Sequence, residues 1–136
     1  MQFRPIVVSL PIEDRQTSFD FYRRALKLEP IGELDDQGIP EPLQFVVNDG
    51  LRLMLPPRDG FGWTIGTGQV AERSMHECVL VIGVATAEET DRIVKQAVDA
   101  GASVVTTPAN QPWGYAGAFA DPDGHIWMVR AESSQT

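Results

Sequence analysis

Thiols and imidazoles are scarce in this chain: one cysteine, Cys78, and two histidines, His76 and His125, stand among 136 residues. A single thiol cannot close an internal disulfide, which points to a reducing compartment and a cytoplasmic protein. The two histidines have no carboxylates at ligand spacing beside them, so they make a weak metal signal. Basic residues are also in deficit, with 11 Lys and Arg against 19 Asp and Glu for a net charge of −8. Nucleic-acid binding leaves a basic footprint, and anionic membrane surfaces attract the same charge, so neither partner is expected. No apolar run approaches the roughly 20 residues that span a bilayer, and the opening residues read as a short strand rather than a signal peptide. Phosphate-binding loops, dinucleotide fingerprints and nucleophile elbows are missing, which leaves nucleotide and serine-hydrolase chemistry without support.

What the chain does have is an echo of itself. Asp49-Gly50-Leu51-Arg52-Leu53-Met54-Leu55 returns as Asp123-Gly124-His125-Ile126-Trp127-Met128-Val129. In both copies an Asp-Gly turn opens an apolar run of strand length, with Met at the fourth place after the Gly. The correspondence extends upstream. A short apolar strand over residues 5–12 leads into a helical pattern over 14–26, and a strand over 77–84 leads into a helix over 87–100. Asp14 is placed to cap the first helix, with Phe19, Phe21, Tyr22 and Leu26 on its inner face. Further strands are predicted over 28–34, 43–47, 51–55, 102–106, 115–120 and 125–129, with loops over 35–42 and 108–113. Asn48-Asp49-Gly50 and Asp121-Pro122-Asp123-Gly124 are hairpin turns by composition. The pattern gives one domain over 1–136, built from modules over about 3–56 and 75–131. Between them, residues 57–74 read as a linker, because Pro56, Pro57 and four glycines break any periodicity there. Residues 132–136 form a polar tail expected to fray.

Taken in order, several short motifs resemble the vicinal oxygen chelate superfamily, the group of glyoxalase I, bleomycin-resistance proteins and extradiol dioxygenases. They are Asp14 with Ser18, Phe21 and Tyr22, then Ala100-Gly101-Ala102, Trp113-Gly114-Tyr115 and Asp121-Pro122-Asp123-Gly124-His125-Ile126-Trp127. The resemblance implies an α+β fold: two βαβββ modules forming curved, mixed half-barrel sheets around a cavity, commonly in a homodimer. It also implies a divalent metal held by His, Gln or Glu side chains from four strands. Those positions fall here on Val7, Met54, Val79 and Met128. Valine and thioether side chains supply no charge-neutralising donor, so no metal and no cofactor are expected. His76 would enter such a site only through a register slip.

Strand alternation extends the set. If these four side chains share the cavity, so do Pro5, Ser9, Arg52, Glu77, Val81, Ile126 and Arg130. The candidate ligand-binding residues are therefore Ser9, Arg52, Met54, Glu77, Val79 and Met128, with Trp63 and Trp113 as aromatics at the mouth. A competing structural account pairs Arg52 with Glu77, or covers the tryptophans with a second subunit. Cys78 is expected to face a helix as a small buried group. No catalytic residue can be named. The reading is a metal-independent binder of a hydrophobic or aromatic small molecule, forming a homodimer, and leaning away from enzymes. The alternatives are a glyoxalase-like lyase, isomerase or dioxygenase with displaced metal ligands, a cofactor-free catalyst with Glu77 as base, and a scaffold dimer with a vestigial cavity.

Overall fold

A computed structural model describes residues 2–132, so the tail beyond Glu132 lies outside the described residues. The chain divides into two compact units, one of residues 1–23 and 27–70, the other of 24–26 and 71–136. Each carries one four-stranded mixed sheet, and the class is α+β.

In the first unit, β1 (Ile6–Ser9) is followed by α1 (Arg15–Ala25), whose last two residues group with the second unit, then β2 (Glu29–Pro30), β3 (Gln44–Asn48), β4 (Leu51–Met54) and α2 (Arg58–Thr64). The sheet order is β1-β4-β3-β2, with β1 parallel to β4 and the other pairs antiparallel. Asp14 caps α1 as the sequence suggests, its carboxylate accepting from the Thr17 backbone N–H at 2.8 Å. Phe21, Tyr22 and Ala25 of this helix are fully buried, and the Tyr22 ring centroid lies 5.8 Å from that of Phe45. This aromatic cluster is the core of the unit.

The loop over 35–42 is stitched by one carboxylate. Asp35 accepts from the backbone N–H groups of Gln37 and Ile39 at 2.8 and 3.0 Å and forms an ion pair with Arg15. The Arg15 hydrogen bond first, then the Ile39 N–H, hold the Asp35 carboxyl at about 2 instead of the ordinary 3.8. A carboxyl depressed in the folded state contributes stability above its unfolded value and loses it as pH falls through its folded value. Asp35→Asn is therefore expected to lower the melting temperature at neutral pH, with the deficit against wild type closing between about pH 4 and pH 2. A deficit that stays constant down to pH 2 would show that the charge of Asp35 contributes nothing.

In the second unit, β5 (Val79–Val84), α3 (Ala87–Asp99), β6 (Ser103–Gln111), β7 (Gly114–Ala120) and β8 (Ile126–Ala131) repeat the plan. The order is β5-β8-β7-β6, with β5 parallel to β8. Thr86 caps α3 by accepting from the Glu89 N–H, while Glu88 and Glu89 sit in the first turn and favour the positive end of the helix dipole. Helix α3 packs on β7 and β8, where Phe119, Trp127 and Val129 are buried. The Tyr115 hydroxyl donates to Asp91 at 2.5 Å, tying β7 to the helix, and this bond raises the phenol above its usual range.

Four expectations are corrected. Residues 57–74 are not an unstructured linker, because α2 forms within them. Residues 108–113 are not wholly a loop: β6 runs through Pro108 to Gln111, with register shifts at Thr106 and Ala109. As the outermost strand, β6 tolerates a proline that donates no ladder bond. The strand predicted over 28–34 shrinks to the two residues of β2. Cys78 is exposed rather than packed under a helix, because β5 starts only at Val79 and leaves Cys78 in the preceding segment.

Candidate functional site

Ladder partners place their side chains on one face of a sheet, so the register fixes which residues stand together. In the first sheet Val7 pairs with Arg52 and Ser9 with Met54, while Val46 and Gln44 pair with the same two residues from the other side. One face thus carries Val7, Ser9, Arg52 and Met54. The Arg52 Nε is buried and has no hydrogen-bond partner among the described residues. In the second sheet Val79 pairs with Ile126 and Val81 with Met128, and Gly83 pairs with Arg130. Across the next ladder Ile126, Met128 and Arg130 meet Ala120, Ala118 and Ala116. Trp127 and Val129 point to the opposite face, under α3.

The two faces differ in chemistry: the first mixes Val7, Val46 and Met54 with Ser9, Gln44 and Arg52, while the second is mostly apolar. Each keeps large side chains open: Val7 is 45% exposed and Val81 55%.

The remaining predicted residues are placed differently. Glu77 precedes β5, is exposed, and so lies outside the ladder that alternation assumed. Trp63 stands on α2 with 84% of its surface exposed. Trp113 lies in the turn between β6 and β7, half exposed, with the Arg130 guanidinium 5.2 Å from its ring centroid. That cation–π contact gives Trp113 a partner within its own unit. His125 follows the last hairpin turn, where its backbone N–H donates to Asp121 at 2.8 Å.

A groove of about 560 Å³ opens in the second unit at the start of β5. Its floor is Val79, Val105, Ala120 and Ile126, and the segment carrying Arg73, Ser74 and His76 forms its wall. That segment crosses directly over Gly124. A side chain there would begin 3.0 Å from the Arg73 carbonyl oxygen, and the φ of +91° already favours glycine. The echoed Gly50 has open space around it, with nothing nearer than Asn48 Oδ1 at 4.0 Å. The two copies of the Asp-Gly turn therefore differ in purpose: the second one seats a loop. Sequence reasoning missed Arg73 and Ser74, which lie in an aperiodic stretch where alternation says nothing.

The divalent metal implied by the family resemblance can be tested on donor chemistry. Val7, Met54, Val79 and Met128 do occupy the open sheet faces, and none can neutralise a divalent charge. Among the described residues no three His, Cys, Asp or Glu side chains gather closely enough to hold a metal ion. The residues present do not fit that group.

Known proteins bear on the same fold. An uncharacterized protein of Mycobacterium bovis is 28% identical over 124 residues, covering 88% of this chain and 78% of that protein. A hypothetical protein from S. aureus has a structure matching 97% of this chain and 96% of its own, with a TM-score of 0.80 at 23% identity. A glyoxalase-related enzyme from Fulvimarina pelagi matches 96% of this chain and 88% of its own, with a TM-score of 0.78 at 26% identity. A family model for the Glyoxalase/Bleomycin resistance protein/Dioxygenase superfamily matches residues 4–129, which takes in both copies of the strand–helix–strand repeat. The chain belongs to that superfamily.

Proposed function

We propose that this protein binds a hydrophobic or aromatic small molecule without a metal, as a homodimer in the cytoplasm. The observation that carries the reading is the pair of open sheet faces, apolar at the family's ligand positions and bare of metal donors. An open face of this kind recognises shape and apolar area, and on the first sheet Ser9 and Arg52 are polar groups able to fix orientation. Exposed Trp63, Ile65 and Met75 favour association of two copies, since isolated chains rarely leave so much apolar surface in water. The unpaired Cys78 agrees with a reducing compartment.

Native mass spectrometry tests the proposal in one experiment. The expected species has about twice the 15.0 kDa chain mass, carries no zinc, nickel or iron, and takes up added 2-naphthol. Val81→Asp should cut that uptake at least tenfold, because it sets an uncompensated carboxylate on the apolar face (roughly 1.4 kcal/mol per tenfold). A stoichiometric metal adduct, or naphthol uptake indifferent to Val81→Asp, sinks the binding proposal. A species of single-chain mass at micromolar concentration sinks the dimer.

A further inference from the structure

The groove at the start of β5 adds a polar wall to one end of the second sheet's open face, where Val79, Ala120 and Ile126 stand together. Its floor is four apolar side chains, and its wall carries two groups able to bear positive charge, Arg73 and His76, with the Ser74 hydroxyl between them. No carboxylate lines it, in a chain whose net charge is −8. Among the described residues, Arg73 makes neither an ion pair nor a side-chain hydrogen bond, whereas Arg15, Arg58 and Lys95 each have a carboxylate partner. Its stem is nevertheless positioned, because Gly124 lets the Arg73 backbone and Cγ approach within about 3 Å of where a β-carbon would sit. A cation held by its stem, with no acidic partner, above an apolar floor, is complementary to an anion with an apolar tail.

We propose that this groove binds an amphipathic organic anion, its apolar chain or ring lying on Val79, Val105, Ala120 and Ile126 and its carboxylate meeting Arg73. The inference rests on the small-molecule-binding reading above and adds the ligand class to it. Arg73 supplies the charged contact and Ser74 a hydroxyl able to donate, while the His76 ring lines the same rim. Guanidinium suits the role because it stays charged at any physiological pH and offers two parallel donors to a carboxylate.

Octanoate and octan-1-ol make a matched pair of probes, with the same tail and a charged or neutral head. Amide NMR titration of the full chain locates and measures the binding of each. Octanoate is expected to shift the amides of residues 73–79, Val105 and Ile126, and to bind at least tenfold more tightly than octan-1-ol. Arg73→Met keeps the stem over Gly124 and removes the charge. It should cost octanoate about tenfold in affinity while leaving octan-1-ol unchanged, and Arg73→Lys should recover part of the loss. Equal affinity for the two probes in the groove overturns the anion assignment and leaves the hydrophobic-binding reading standing. Octanoate shifts confined to other residues also overturn the assignment. Binding of neither probe overturns both.

Discussion

Trp127→Ala is expected to lower unfolding free energy by about 3–5 kcal/mol, the range for deleting a buried large aromatic side chain. The reason is its place in the ladder. Trp127 is 1% exposed and pairs with Phe119 across β7 and β8, on the face that α3 covers. Removing the indole leaves a void beneath the helix that Phe119 and Val129, themselves fully buried, cannot fill without moving α3. Met128 next to it points the other way and is half buried, so Met128→Ala should cost well under half as much. Urea unfolding of both variants checks the contrast. Equal losses would mean that the alternation of β8 does not separate core from open face.

That alternation is legible in the sequence itself. The Asp-Gly echo announced two copies of one unit, and the parity of Met54 and Met128 against their neighbours gave the open faces that the registers then placed. Periodic apolar patterns report burial directly, which is why β1, α1, β5, α3 and β8 were found within a few residues. Helix α2 was not found because glycine and proline normally mark breaks. Here they do another job. Pro57 is the N-cap, in extended conformation, and Gly62 lies where a side chain would begin 3.2 Å from the Gly68 Cα. Those glycines allow α2 and the turn that follows it to touch, a requirement that apolar periodicity does not register.

The site was less legible than the fold for the same reason. Alternation carried from β5 back to Glu77 and Cys78 fails because the strand starts at Val79, and nothing in the residue types marks that start. The groove wall comes from a loop seated on Gly124, so its chemistry depends on a contact between residues 73 and 124. The sole hint was already present. Of two echoed glycines, only Gly124 opens a turn preceded by Asp121-Pro122, whose Asp121 gathers the N–H groups of Asp123 and His125 into a tight bend. That turn is the one that brings its glycine against another segment.

Gly117→Val tests a third such contact, and a loss of about 1–3 kcal/mol is expected, the usual penalty for forcing volume into a packed region. Gly117 lies in β7 opposite Val129, and a β-carbon added there would stand 2.7 Å from the Pro108 ring and 3.1 Å from the Pro108 Cα. Neither neighbour can yield cheaply. The ring is rigid, and the Cα belongs to the β6 backbone, where the register shifts between Thr106 and Ala109. The bulge in β6 and the missing side chain in β7 are therefore one device: the proline leaves the ladder and its ring occupies the room over the glycine. Pro108→Ala in the Gly117→Val background should recover part of the loss, because it removes the ring atoms that clash first. The double-mutant cycle is decisive. If Pro108→Ala costs the same in both backgrounds, the two residues do not interact, and the bulge must be held by something else.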